Sequence, residues 1–152
     1  MHLQYHYKEL SDCMDVNIIK NKEYYQSISD SSMCDCSYCQ CYRTQIKVAY
    51  KEVAEYLDSL GIDIEKPFEV LPLEPDENGM ITYSGAQYIA FGKCEPKHIC
   101  IIDNVEIRAT ASHPSTGIEK EHFVIELFPI KLNFFYEVNT LQREDAFYSK
   151  IY

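Results

Sequence analysis

The sequence predicts an α+β fold in which a mainly antiparallel sheet packs one face against one long helix. Apolar residues recur at helical spacing between about residues 38 and 60, whereas alternation of apolar and polar residues dominates after residue 68. Short turns separate the strands and no alternating β–α–β units are present, so the sheet should be antiparallel. A chain of 152 residues with no internal repeat or linker predicts a single globular domain spanning 1–152.

The long helix is the best-defined element of the sequence. Its apolar stripe predicts a helix from about Tyr38 to Leu60. Ser37 and Gln40 have the spacing of a capping box, which marks the beginning of a helix. Gly61 marks the end, because glycine readily takes the left-handed conformation that follows a helix.

The other elements follow from alternation and turn residues. Before the long helix, residues 3–7 predict a short strand and residues 13–33 predict at most one short helix. After it, strands are predicted at 68–71, 80–92, 99–102, 105–111 and 122–138, the last interrupted at Pro129, with a short helix in the tail 139–152. Gly85 is expected at a β-bulge, and Asp103 with Asn104 at a two-residue hairpin turn.

The charge of the chain limits its partners. The formal net charge is −10, and no cluster of lysine and arginine offsets it. Since such a field repels phosphate backbones, we expect no nucleic-acid ligand. The first residues, MHLQYHYKEL, lack the pattern of a signal peptide, and no apolar run approaches the ~18 residues of a membrane span. We therefore expect a cytoplasmic protein with no membrane partner.

Four of the seven cysteines lie in the stretch MCDCSYCQCYR at residues 33–43. The first hypothesis for this stretch is a structural zinc site, because Cys36 and Cys39 have the C-x2-C spacing with which two thiolates bind one Zn²⁺. Four ligands within eight residues would be crowded, so a second, remote pair is expected. The metal-ligand candidates are Cys36 and Cys39 with Cys94, His98 and Cys100, and further candidates are His6, Cys13 and His113.

The second hypothesis is thiol chemistry. With Ser37 as the N-cap, Cys39 lies in the first helical turn, where unpaired N–H groups and the helix dipole stabilise a thiolate. Cys39 would then be the nucleophile of a thiol-dependent enzyme or dithiol redox protein, and Cys36 its resolving thiol. The absence of a β–α–β pattern around the motif argues against a thioredoxin-like context.

The third hypothesis is packing alone. If Ser37 is the N-cap, Cys36 and Cys41 occupy the two positions of a hydrophobic staple. Since unmodified cysteine behaves as a small buried apolar residue, two or three of the four thiols would then close the start of the helix against the sheet.

Three segments, CSYCQCY, YLDSLGIDIEKPFEV and YSGAQYIAFG, resemble a group of small uncharacterised bacterial proteins with no assigned activity. The similarity consists of a C-x2-C at the head of a helix, an LGID-like helix end, a KP-E-like strand start and a strand ending in FG. It covers about half the chain, roughly residues 34–92, and implies no catalytic residues. The matching positions are Cys36, Cys39, Leu60, Gly61, Ile62, Asp63, Lys66, Pro67, Glu69, Tyr83, Gly85, Phe91 and Gly92. Cys34 and Cys41 lie outside this pattern, so the resemblance favours Cys36 and Cys39.

These features favour a non-enzymatic, acidic module that binds another protein and carries zinc at Cys36 and Cys39. The 13 tyrosines and the negative charge suit a basic protein partner, and a homodimer is a further candidate assembly. The alternatives are a thiol-dependent enzyme or redox protein using Cys39 and Cys36, and an acidic inhibitor or immunity-type protein that occupies a basic site on a toxin.

Overall fold

The structure is an α+β fold in which helices pack on a mainly antiparallel sheet. The computed structural model describes residues 14–95, 98–113 and 115–134, with only the backbone described at 98 and 99. The described helices are α1 (Ile18–Ser27), α2 (Ser37–Ala49) and α3 (Lys51–Ser59), with a 3-10 turn at Asp30–Ser32 between α1 and α2. The strands are β1 (Met14–Val16), β2 (Glu69–Pro72), β3 (Met80–Cys94), β4 (His98–Ile102), β5 (Val105–Thr110), β6 (His122–Phe128) and β7 (Ile130–Asn133).

The long strand β3 organises the sheet. Along one edge, the middle of β3 pairs with β2 and its carboxyl end with β1. Along the other edge, β3 pairs with β7 near its start and then with β6, and β5 and β4 continue outward from β6. Every described pairing is antiparallel. The sequence-based fold class and sheet type are therefore confirmed.

Local turn chemistry explains several strand boundaries. Asp103 and Asn104 both have positive φ, 55° and 64°, as a two-residue hairpin between β4 and β5 requires. The register between β2 and β3 shifts near Gly85, so the predicted bulge is confirmed. Pro129 separates β6 from β7. The strand predicted at 3–7 and the helix predicted at 139–152 lie outside the described residues.

The prediction of one continuous helix from about 38 to 60 is not confirmed, because Tyr50 separates α2 from α3. Tyr50 has φ −127° and ψ 63°, outside the helical range. Its hydroxyl accepts from the Lys131 N–H at 3.0 Å and donates to the Lys131 carbonyl at 3.3 Å. These hydrogen bonds to β7 explain why the helix is interrupted at Tyr50. The spacing of apolar residues carries no information about them.

The predicted capping box is also corrected. Helix α2 begins one residue earlier than expected, with Cys36 as its N-cap and no side-chain cap bond. The Cys36 carbonyl accepts the first helical bond from the Gln40 N–H at 2.9 Å. The Gln40 side chain donates to the Asp35 carbonyl at 2.8 Å rather than reaching the start of the helix in the reciprocal pattern.

The main core lies between the helices and the inner face of the sheet. Helices α2 and α3 contribute Tyr42, Ile46, Val53, Tyr56 and Leu57, all almost fully buried. Gly61 ends the helical segment as predicted, with φ 83°. A Cβ at this position would lie 2.5 Å from the Ile18 carbonyl, so glycine also allows the close approach of α1.

Buried polar bonds fix the helices on the sheet. The Tyr88 hydroxyl donates to the Ile64 carbonyl at 2.7 Å, so the 2.6 Å bond between the Tyr42 and Tyr88 hydroxyls has Tyr42 as donor. Asn21 donates to the Leu60 carbonyl at 2.8 Å and accepts from the Phe91 N–H at 2.7 Å. These bonds join α1, α2, the segment after α3 and strand β3.

Candidate metal centre

Three cysteine sulfurs lie together at the beginning of α2. The Sγ atoms of Cys34, Cys36 and Cys39 all lie within 4.8 Å of one another. Cys34 and Cys36 are exposed and Cys39 is half-buried, so the cluster is open to solvent on one side. Within the described ranges this is the one group of three or more ligand side chains close enough to share a metal ion.

The backbone at the start of α2 brings the three thiols together. Cys36 is the N-cap and Cys39 follows three residues later, so the two side chains lie on the same side of the first turn. Met33, just before Cys34, has φ −87° and ψ 152°, an extended conformation that follows the 3-10 turn. The chain therefore approaches the helix with Cys34 beside the first turn.

Arg43 connects the segment before Cys34 to the helix. Its guanidinium donates to the Asp30 carboxylate at 2.9 Å, in the 3-10 turn, and to the Glu65 carbonyl at 2.9 Å. Because Asp30 is largely exposed, this ion pair contributes little to stability, but it restrains the geometry of the segment.

The first turn of α2 is also attached to the sheet. The Tyr83 hydroxyl donates to the Tyr38 carbonyl, and the Tyr38 ring stacks on Phe134 with centroids 5.4 Å apart. Cys36 and Cys39 therefore project from a turn that is anchored to β3 and to Phe134, the residue after β7.

A small pocket adjoins two of the three thiols. Its volume is about 140 Å³, and its lining includes Cys34 and Cys39 with Arg43, Pro67, Phe68 and Val70. Cys36 does not line this pocket and is exposed. Of the three thiols, Cys34 and Cys39 therefore border the pocket, and Cys34 is also exposed to solvent.

The pKa shifts of Cys34 and Cys39 are opposite to the hypothesis that the helix start lowers the pKa of Cys39. The Cys36 backbone N–H donates to the Cys34 sulfur and lowers the pKa of Cys34, and the thiols of Cys36 and Cys39 lower this pKa further. Burial raises the pKa of Cys39 to about 12, and its contacts with Cys34 and Cys36 act in the same direction. The first-turn position therefore does not make Cys39 the most acidic thiol.

The arrangement matches the needs of a thiolate-bound metal. At Zn–S bonds of 2.3 Å, tetrahedral geometry places sulfurs about 3.8 Å apart, so three sulfurs within 4.8 Å need to close by only about 1 Å. Metal binding displaces the thiol protons and neutralises the repulsion among three thiolates. Three sulfurs would leave a fourth position for a ligand from elsewhere.

Two of the remote ligands expected from the sequence, Cys94 and Cys100, are not part of this group of three sulfurs. Cys94 is half-buried at the end of β3, where burial raises the pKa of its thiol. Cys100 is 2% exposed within β4. Neither belongs to a group of three potential ligands in the described part of the chain. The side chain of His98, and residues His6 and Cys13, lie outside the described residues.

The staple expected between Cys36 and Cys41 is not formed. Cys41 is completely buried, its sulfur donating to the Asn133 carbonyl at 3.9 Å and accepting from the Gln45 amide at 3.1 Å. Cys36 is exposed instead of packing against it. Burial therefore accounts for Cys41 but not for the other three cysteines of the stretch.

Cys34 belongs to the cluster, although the predicted ligand set contained only Cys36 and Cys39 from this stretch. The spacing C-x-C-x2-C over residues 34–39 contains all three cysteines, but Cys34 precedes the helix, so helical spacing does not group it with the other two. An extended segment before an N-cap can fold its side chains back beside the first turn, which helix periodicity does not describe.

A larger cleft of about 880 Å³ lies away from the three sulfurs and is lined in part by Lys22, Lys47, Lys51 and Lys66. Lys66 has a structural role there, since its ammonium donates to the Tyr25 and Ile28 carbonyls at 2.8 and 2.9 Å. Cations near the end of α1 stabilise its unpaired carbonyls.

Comparisons with family models, with curated proteins and with solved structures gave no match. The chemistry of the molecule is therefore inferred from its own side chains. Among the helices that the structure describes, none combines the length and apolar character needed to cross a membrane.

Proposed function

We propose that the chain is a metal-binding module that holds Zn²⁺ through the thiolates of Cys34, Cys36 and Cys39. The observation that carries the proposal is the mutual approach of these three sulfurs within 4.8 Å at an anchored helix start. Thiolates are soft ligands that favour zinc and other thiophilic ions over magnesium or calcium. This ligand set replaces the one expected from the sequence, in which Cys36 and Cys39 were joined by Cys94, His98 or Cys100.

The position of the cluster supports a structural effect of the ion. Cys34 precedes the helix, Cys36 caps it and Cys39 lies within it, so one ion would link the extended segment to the first turn. Cys36 has no side-chain cap bond, and a metal would supply the restraint that a capping side chain normally gives. A fourth ligand would come from solvent, from a residue beyond the cluster or from a partner.

Titration of chelator-treated protein with Co²⁺ and then Zn²⁺ tests the proposal. Co²⁺ substitutes for Zn²⁺ in such sites and reports thiolate ligation by absorption. We expect one equivalent to bind, with replacement of any of Cys34, Cys36 or Cys39 by serine weakening binding at least tenfold. Cys94→Ser is the matched control and should leave affinity unchanged, because this residue does not belong to the cluster.

Two outcomes of the metal titration would contradict the proposed ligand set. Failure of the wild-type protein to bind an equivalent of Co²⁺ or Zn²⁺ would contradict the proposal. Weakening by Cys94→Ser together with unchanged binding in Cys34→Ser would show that the ligand set predicted from the sequence, and not the cluster of three, forms the site. Circular dichroism of each variant separates loss of ligation from loss of folding.

A second candidate function is binding of a basic protein along strand β2. In the described residues β2 pairs only with β3, so its other edge has no strand partner. Exposed apolar side chains lie along and beside this edge at Phe68, Leu71 and Leu73. The neighbouring exposed acidic residues Glu69 and Glu74 would favour a basic strand added to the edge.

A labelled peptide of alternating valine and lysine tests this second candidate by fluorescence anisotropy. We expect saturable, salt-sensitive binding that Leu71→Lys weakens, with Val48→Lys as the control because Val48 is 85% exposed on α2, away from β2. Equal binding of a valine–glutamate peptide would contradict the charge argument. Reversible dimerisation that Leu71→Lys abolishes would instead assign the edge to a second copy of the chain.

A further inference from the structure

We propose that Cys34 and Cys39 form a reversible disulfide by exchange with a low-molecular-weight disulfide such as oxidised glutathione, and that Cys34 is the thiol that attacks first. Neither the metal site nor the fold requires this reaction. The cluster would then carry out thiol–disulfide exchange in addition to binding a metal. The sequence-based hypothesis had Cys39 as the nucleophile, whereas here Cys34 attacks first.

The distances among the sulfurs permit the bond. The Cys34 and Cys39 sulfurs are at most 4.8 Å apart, and a disulfide of about 2.05 Å requires them to approach by about 3 Å or less. Cys34 lies in an extended segment outside the helix, so rotation of its side chain and small backbone shifts can supply this approach.

Accessibility sets the order of reaction. Cys34 is exposed and can reach a disulfide from solvent, whereas Cys39 is half-buried. Both residues line the same pocket of about 140 Å³, beside Phe68 and Val70. Cys39 is therefore placed to attack a mixed disulfide on Cys34 from the pocket side.

The remaining thiol is less well placed to complete the exchange. Cys36 does not line the pocket that Cys34 and Cys39 share. A bond between Cys34 and Cys36 would close a ring of only three residues, which is geometrically demanding. Cys36 is therefore expected to stay reduced while the other two pair.

The thiol–disulfide exchange takes place in two steps. The Cys34 thiolate attacks one sulfur of oxidised glutathione, forming a mixed disulfide and releasing one glutathione thiolate, which takes a proton. The Cys39 thiolate then attacks the Cys34 sulfur, forming the Cys34–Cys39 disulfide and releasing the second glutathione. Two protein thiols are oxidised, and one molecule of oxidised glutathione is reduced to two of glutathione.

The disulfide removes two of the three metal ligands at once. This regulatory consequence rests on the proposed function, whereas formation of the disulfide in metal-free protein does not. Bound Zn²⁺ should in turn slow the exchange, because the thiolates are then shared with the metal and less available for attack.

Peptide mass mapping tests the inference on chelator-treated full-length protein incubated with oxidised glutathione and quenched by alkylation. We expect a Cys34–Cys39 crosslink with Cys36 alkylated. Cys36→Ser should keep the crosslink, Cys39→Ser should stop at a glutathione adduct on Cys34, and Cys34→Ser should slow disulfide formation at least tenfold. Cys94→Ser is the control that should react as the wild type does.

Two results would overturn the inference. A Cys36–Cys39 crosslink as the first product, or undiminished reaction of Cys34→Ser, would contradict the assigned pair and order. A parallel Co²⁺ titration of the reduced wild-type protein keeps the outcomes separate. Metal binding without exchange refutes only the disulfide, and exchange without metal binding refutes only the metal module.

Discussion

Asn21 shows how a single buried polar residue can organise this fold. It is fully buried, and its amide links the Leu60 carbonyl after α3 to the Phe91 N–H of β3. Both backbone groups lose their partner if the amide is removed. An unsatisfied buried group costs about 1 to 3 kcal/mol, so the side chain stabilises the junction of three segments.

We expect Asn21→Ala to lower the free energy of unfolding by about 2 to 4 kcal/mol, measured by urea denaturation. Asn78→Ala is the control, because Asn78 is exposed in a turn and should change stability by less than about 0.5 kcal/mol. Similar effects of the two substitutions would contradict the structural role assigned to Asn21.

The buried tyrosines predict a loss of stability at alkaline pH. Burial raises the pKa of Tyr25, Tyr42 and Tyr88 well above the ordinary value. Above the unfolded pKa of about 10, the unfolded chain releases phenol protons that the folded chain retains. The unfolded state then binds fewer protons, so stability falls as pH rises beyond that value.

Tyr42→Phe tests the alkaline effect. Above pH 10 its stability should decline less steeply than that of the wild type, by up to about 1.4 kcal/mol per pH unit, because one of these groups is absent. At neutral pH the variant should lose about 1 kcal/mol, since Tyr42 no longer donates to Tyr88. Urea denaturation at pH 7 and pH 10.5 measures both, and parallel alkaline slopes would contradict the expectation.

At the level of elements, turns and strands were more predictable than the continuity of the long helix. Gly61, Gly85 and the Asp103–Asn104 turn each carry a local backbone requirement that residue type reveals. The interruption at Tyr50 depends instead on bonds to Lys131, 81 residues later in the chain. Helical periodicity is local and contains no information about such a contact.

The hairpin between β4 and β5 provides a test at this scale. Asn104 has φ 64°, so Asn104→Val should destabilise the protein by about 1 to 2 kcal/mol, because a β-branched residue is strained in this conformation. Asn104→Gly is the matched variant and should be neutral or slightly stabilising. Thermal denaturation compares the two, and equal melting temperatures would contradict the turn geometry.

For the whole molecule, the sequence predicted the fold class and the importance of the cysteine-rich region, but not which three cysteine sulfurs lie together. C-x2-C spacing identified Cys36 and Cys39, but proximity of Cys34 required the path of the segment after the 3-10 turn. Cys94 and Cys100, which the sequence pattern pairs with Cys36 and Cys39, are not among the three grouped sulfurs, and their ligation of a metal stays a prediction. Spacing predicts ligands within one turn, whereas remote ligands depend on tertiary structure.

Zn²⁺ binding should also increase the free energy of unfolding of the whole protein. An ion that binds the folded chain alone stabilises it by about 2.7 kcal/mol at a free concentration one hundred times Kd. We expect Zn²⁺ to raise the denaturation midpoint of the wild type but not of Cys39→Ser, in urea titrations at fixed free zinc. If zinc raised the denaturation midpoint of both proteins equally, the stabilising ion would not be bound by Cys39.

X-ray absorption at the zinc edge tests the central claim most directly, because it counts the sulfur atoms bound to the metal. In wild-type protein loaded with one equivalent of Zn²⁺, we predict three sulfur ligands at about 2.3 Å. In Cys34→Ser, the number should fall to two. A sulfur count of two in the wild type, or one that Cys34→Ser leaves unchanged, would contradict a site built from Cys34, Cys36 and Cys39.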